Sequence, residues 1–230
     1  MEPALTNIGI VLPEPGYLDA VRALTHEHGT VLINDETHTF SAGPGGCTAA
    51  WGLEPDMVTI GKSIAGGIPA GAYGLSAELA DRIMADKSAD IEDTGGVGGT
   101  LAGNALSVAT MRATLEHVLT DAAFAAMIAT ADRYTAGVRK VIESRKLPWN
   151  IVQLGARAEY RFCPQPPRTG GESAAAADTD LDEYLHLYLI NRGILLTPFH
   201  NMALMCPQTT DADADYHATV FAQAAGDLLE

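Results

Sequence analysis

The sequence predicts an α/β fold followed by a smaller α+β unit. Short β-branched, apolar runs alternate with amphipathic helical stretches over roughly the first hundred residues. Near residue 104 the texture turns alanine-rich and helical, and after Pro148 short strands and helices follow in a different order. Taken from the start, "PGYLDAVRALTHEHG" (15–29) reads as a helix bracketed by Pro15 and Gly29, with Leu18, Val21 and Leu24 on one face. "VLIN" (31–34), "MVTI" (57–60) and "GAYGL" (71–75) read as buried strands of a largely parallel sheet. Ser76 stands as the N-cap of the helix in "SAELADRIMAD". "NALSVATMRATLEHVL" is helical. The stretch 121–145 is a longer helix with Asp121 as N-cap and Lys140 and Arg145 toward its C-terminal end, where cations suit the helix dipole. "IVQLG" and "AEYRF" are short strands, and "CPQPPRTGGESAAAAD" is a loop by composition. A helix over about 180–192, strands "GILLTP" and "MALMC", and a terminal helix from Asp211 complete the chain. The expected organisation is a partial large domain over 1–120 and a small domain over 121–230, joined by the long helix.

The 230 residues carry 14 basic and 29 acidic side chains, a formal net charge of −15. No run of basic residues offers a phosphate backbone a footing, which argues against nucleic acid as a partner. No apolar stretch approaches bilayer-spanning length and no signal peptide follows Met1, so the expectation is a soluble, cytoplasmic protein with no membrane partner. Cys47, Cys163 and Cys206 are scattered, which fits a reducing compartment and thiols used as small core residues.

Several motifs fail on inspection. "IGKSIAGG" contains the Gly-Lys-Ser of a P-loop, but Asp56 stands where the first glycine must be. "GGVGGT" lacks dinucleotide-binding spacing because position 101 is Leu. "DADAD" (211–215) lacks the glycine and glutamate of a calcium loop, so these acids read as the first turn of a helix. His26 and His28 diverge on a helix end, and no metal site is expected. His38 and His200 lie at strand ends. Asp35 and Lys62 each follow an apolar strand. If both strands belong to one parallel sheet, both side chains emerge at its C-terminal edge, where open α/β sheets bind ligands. A lysine that can form an imine and a carboxylate that can hold a pyridinium proton are what pyridoxal phosphate requires.

Residues 2 to about 119 resemble the class III pyridoxal-phosphate-dependent aminotransferases of fold type I, in the branch around glutamate-1-semialdehyde aminomutase. The matching stretches are "EPALTNIGIVLPEPGYLDAVRALTHEHGTVLINDE", "GLEPDMVTIGKSIAGGIPAGAYG" and "GGTLAGNALSVATMRATLE", in family order, with a looser match in "NRGILLTP" and the last helix. The resemblance implies that Lys62 is the Schiff-base lysine and proton carrier, that Asp35 pairs with the pyridine nitrogen, and that Asn7 bonds the cofactor's phenolic oxygen. It implies that Thr37 packs under the ring in place of an apolar residue. It also implies that Thr100 reaches the cofactor phosphate of a partner subunit, hence a homodimer with shared sites. Small-molecule amino donors and keto acid acceptors are the implied substrates.

Two departures qualify the match. The chain begins at "MEP", inside the family's large domain, so the resemblance implies the loss of the turn that cups the phosphate. Weak or no cofactor binding by the 230-residue chain is then expected. Met202 falls where the aminomutase branch has a glutamate, and no acid occurs from Thr197 to Thr210, which tilts the reading toward aminotransferase over mutase. A non-catalytic truncated relative is the rival of another class. "DETHTF" also resembles a region of the α-oxoamine synthases, but the surroundings of Lys62 do not follow that family. Arg157, Arg161 and Arg168 are the arginines that could meet a substrate carboxylate.

Overall fold

A computed structural model describes residues 1–86, 99–197 and 200–229. Most of the glycine-rich stretch 95–99, and the end of "GILLTP", lie outside the described residues. Strands β1 (Ile33–Asp35), β2 (Met57–Gly61) and β3 (Gly71–Leu75) form one sheet in that order. β1 and β2 are parallel, with Asp35 opposite Thr59. β3 runs antiparallel to β2, with Gly71 opposite Gly61. The largely parallel sheet expected from the sequence is therefore met at the first pairing only. Residues 62–70 are too few for a crossover helix, so β3 must turn back.

The first residues lie along β1: the Met1 ammonium donates to Ile33 O at 2.6 Å, and Asp35 N–H donates to Met1 O at 2.8 Å. A bridge between Leu5 and Val11 folds this segment back. Helix α1 (Tyr17–Glu27) forms where expected but buries no residue, and Leu24 is 57% exposed. Val31 and Ile33 are also exposed, so β1 is not the buried strand its composition suggests. That reading assumes helices on both sheet faces, and among the described residues α1 does not supply one.

After α2 (Gly46–Ala50), helix α3 (Ala77–Ala85) starts at Ser76, whose Oγ accepts Leu79 N–H at 3.2 Å. Helix α4 (Ala105–His117) is capped by Asn104 and packs on the 3-10 turn Lys62–Ala65. The N-cap of α5 (Asp121–Arg145) is Thr120 rather than Asp121: the hydroxyl, one residue earlier, accepts Ala123 N–H at 3.2 Å.

Strands β4 (Asn150–Leu154), β5 (Arg157–Arg161) and β6 (Met202–Leu204) make a second, antiparallel sheet. It packs against α5 and α8 (Asp211–Asp227) around Tyr134, Val138, Trp149, Tyr160 and Phe221. Each such side chain, fully buried, contributes roughly 1.5–3 kcal/mol. The predicted loop after β5 contains a short helix, α6 (Gly170–Ala175), started by Thr169, which accepts Glu172 N–H at 3.1 Å. α7 (Thr179–Ile190) follows Asp178 as N-cap. "GILLTP" forms no strand over 193–197, because the N–H groups of Gly193 and Ile194 turn back to cap α7 through Ile190 O and Leu189 O. At α8, Thr210 and Asp213 form a capping box, while Asp211 and Asp215 pair with Arg133. The acidic run is thus a helix start, and no cluster of metal-ligating side chains occurs among the described residues. No described helix is long and apolar enough to cross a membrane. Of the three thiols only Cys47 is a core residue; Cys206 is exposed.

Candidate active site

The site is built on the turn that follows β1. Successive side chains at a strand end point to opposite faces, so Asp35 and Glu36 part company. Glu36 is buried and bonds entirely to protein. Its carboxylate accepts the Thr39 hydroxyl, Cys47 N–H at 3.0 Å, and both the N–H and the hydroxyl of Thr48. It ties the turn to α2. Burial, helped by Glu36, pushes the Cys47 thiol up to about 12, so this cysteine stays protonated and inert.

Asp35 is half-buried on the other face. Hydrogen bonds from the Thr37 side chain and backbone hold its carboxyl below the usual value against a smaller opposing effect of burial. The Thr37 N–H bond is 2.9 Å. Thr37 leans on the end of β2: a Cβ at Gly61 would stand 3.9 Å from its Oγ1. The next residue, Lys62, leaves β2 with φ 53 and is exposed. The parallel register brings Asp35 and Lys62 to one edge, since Asp35 is opposite Thr59 and Lys62 follows three residues later.

Lys62, Thr37 and Asn7 all line a cleft of about 450 Å3 between the two sheets. Its far wall comes from Phe124 and Met127 of α5, Ala156 and Arg157 at the start of β5, and Thr197, His200 and Met202 beyond α7. Phe40 meets Phe124 edge to face at 5.4 Å between centroids. Asp35 is not itself in the cleft lining. Thr100 is exposed in a turn and does not reach the cleft.

Among the three arginines, only Arg157 lines the cleft. It is buried and lies 3.2 Å from Glu159, which is 3.5 Å from His200. Arg161 donates to Ser173 O, and Arg168 pairs with Glu14 on the surface. The sequence alone does not single out Glu36 or the Arg157–Glu159 pair. Glu36 carries a readable signal, being one of two adjacent acids at a strand end. The buried pair sits in a strand where all five residues are buried, a pattern that alternation rules do not foresee.

The model of the family "Aminotransferase class-III" matches residues 1–224. The chain belongs to this family. This class III chain is 32% identical, over 99% of its length, to the glutamate-1-semialdehyde 2,1-aminomutase of Chloroflexus aggregans, covering 52% of that protein. A crystal structure of a glutamate-1-semialdehyde-aminomutase from Pseudomonas aeruginosa PAO1 in complex with PMP superposes with a TM-score of 0.94 at 46% identity. That match covers 99% of this chain and 51% of the other. An omega-transaminase from Sphaerobacter thermophilus superposes with a TM-score of 0.81 at 26% identity, covering 100% and 51%. The class III chain thus spans about half the length of the relatives it matches. The chain has the α/β fold of these enzymes.

Proposed function

We propose that the chain supplies the amine-and-carboxylate side of a site for pyridoxal 5'-phosphate, in the transfer of an amino group between an amine or amino acid and a keto acid. The observation that carries this reading is the pair Asp35 and Lys62 at the ends of parallel neighbours, beside a cleft. The donor set fits the group: an amine for its aldehyde, an ionised carboxylate for its ring nitrogen, and an amide and a hydroxyl from Asn7 and Thr37. When bound, this cofactor supplies an electron sink for a bond broken next to the substrate nitrogen.

Each chain residue has a definite task in that reading. Asp35 stays ionised at neutral pH, because its hydrogen bonds hold its pKa down, and so favours a proton on the group it faces. The Thr37 methyl gives a planar ligand an apolar contact. Lys62, once its amine is free, is the base that takes a proton from the substrate carbon. Phe40, Phe124 and Met127 give the cleft an apolar wall that displaces water. Thr100, exposed and outside this cleft, is available to the site of a second copy, which supports a homodimer.

A second reading, an amino shift within one molecule, is favoured by the names of the relatives at 32% and 46% identity. Met202 on the cleft, with no acid in 197–210, weighs toward the first. The test of the site is spectroscopic. Pyridoxal 5'-phosphate in large excess should produce the long-wavelength absorbance of an amine–aldehyde condensation, lost again on dialysis because binding by this chain is weak, and Lys62→Ala should remove it. An unchanged band in that variant overturns the assignment. Product analysis with glutamate-1-semialdehyde alone, against donor–acceptor pairs, separates the two reactions.

A further inference from the structure

The Lys62 amine is the last member of a directional chain of hydrogen bonds. Its Nζ meets His38 Nε2. His38 Nδ1 is 3.2 Å from Thr6 Oγ1, and that oxygen is 3.2 Å from Glu2 Oε2, which also accepts Thr6 N–H at 3.1 Å. Thr6 is fully buried, so its hydroxyl has to be satisfied by these partners. One placement of hydrogens serves every atom. The Glu2 carboxylate only accepts, so the Thr6 hydroxyl donates to it and receives Nδ1–H of His38. A neutral imidazole protonated at Nδ1 turns its Nε2 lone pair to Lys62, and an ammonium can only donate.

We propose that His38 is a positioning residue for Lys62, locked by Thr6 and Glu2 in the tautomer that accepts a proton from the lysine ammonium. The proposal rests on the reading of Lys62 as the amine that condenses with an aldehyde. In the step, the ammonium gives one proton to His38 Nε2, and the nitrogen lone pair forms a bond to the carbonyl carbon. The former carbonyl oxygen takes one proton from that nitrogen and one that the imidazolium returns, and leaves as water. The product is a protonated imine, and the imidazole ends neutral.

The groups around the imidazole are of both signs. Lys62 and Arg157 face it as cations, Glu2 and Asp35 as carboxylates, with Glu2 at 3.9 Å. Burial, then Lys62 and Arg157, hold its pKa below the usual value against the two acids, which leaves the lone pair available at neutral pH.

The experiment follows the labelling of individual lysines. The chain is incubated with pyridoxal 5'-phosphate, reduced with borohydride, and digested. Modification rates at Lys62, Lys140 and Lys146 are then measured from about pH 5 to about pH 9, across the histidine range. At Lys62 the rate should fall on the acid side in step with His38 protonation. In His38→Gln that step should vanish, and the neutral-pH rate at Lys62 should drop by about tenfold or more, with Lys140 and Lys146 unchanged. A Lys62 that is not labelled overturns the functional reading and this inference together. A labelled Lys62 with the same profile in His38→Gln overturns only the inference. If that variant does not fold, imidazole nitrogen shifts in the unaltered chain decide: a proton on Nδ1 supports the relay, and a neutral ring protonated on Nε2 overturns it.

Discussion

Glu36 Oε1 accepts both the backbone N–H and the hydroxyl of Thr48, each at 2.5 Å. With Oε2 taking Cys47 N–H and the Thr39 hydroxyl, one buried carboxylate anchors the turn that carries Asp35, Thr37 and His38. Glu36→Ala strands four donors in a dry environment. It should destabilise the chain by roughly 3–5 kcal/mol, measured by urea unfolding. A variant as stable as the parent would mean that water enters and replaces the carboxylate.

Asp35→Asn keeps the shape of the side chain and removes its charge. Losing one charge-assisted hydrogen bond, about 1.5–3 kcal/mol, should weaken pyridoxal 5'-phosphate binding by about tenfold to a hundredfold. Fluorescence titration measures this, and circular dichroism should show an unaltered fold. Equal affinity in the two proteins would remove Asp35 from the site.

Gly155, in the turn between β4 and β5, abuts the Ser41–Ala42 turn that follows β1. It has φ +56, and a Cβ there would fall inside the backbone of Ser41 and Ala42. The close approach lets Ala156 N–H donate to Ser41 O at 2.8 Å. Gly155→Ala combines a left-handed penalty of about 1 kcal/mol with overpacking of about 1–3 kcal/mol. The expected result is a lower melting temperature together with faster amide exchange at Ala156.

Much of this was legible in the residues. Apolar runs located β2, β3, β4 and β5, and the residues at the strand ends located Asp35 and Lys62. Helix starts were readable where Ser76 and Asp211 stand, because capping is local chemistry. The misses share a cause: they depend on what lies across the chain. The direction of β3 followed from a short connection, and the exposure of Val31 and Ile33 from the lack of a covering layer among the described residues. The helix inside the 163–178 stretch was hidden by its Pro and Gly content. His38 was visible as a histidine at a strand end. Its orientation toward Lys62 depends on Thr6 and Glu2, which only the fold brings near.

Acid should loosen the chain in a defined window. Burial pushes His217 from 6.5 down to about 4, with Tyr134 Oη 3.5 Å from its Nε2. Between those values the unfolded chain binds the proton and the folded chain does not, so stability falls as pH drops from about 6.5 to about 4. The full gap corresponds to about 3 kcal/mol. His38 shifts in the same direction and adds to the slope. Lowered aspartates such as Asp56 contribute only below that window. His217→Phe should flatten unfolding free energy across it, and an unchanged slope would assign the effect elsewhere.

Lys62 holds a left-handed backbone, φ 53, that glycine adopts at no steric penalty and an L side chain resists by about 1 kcal/mol. Lys62→Gly should therefore melt at a higher temperature than the parent, while Lys62→Ala should not. A selection that rewards thermal hardiness alone would drift toward glycine at position 62 and discard the amine. Breeding tougher variants of this scaffold therefore calls for a simultaneous screen that detects the lysine's reactivity.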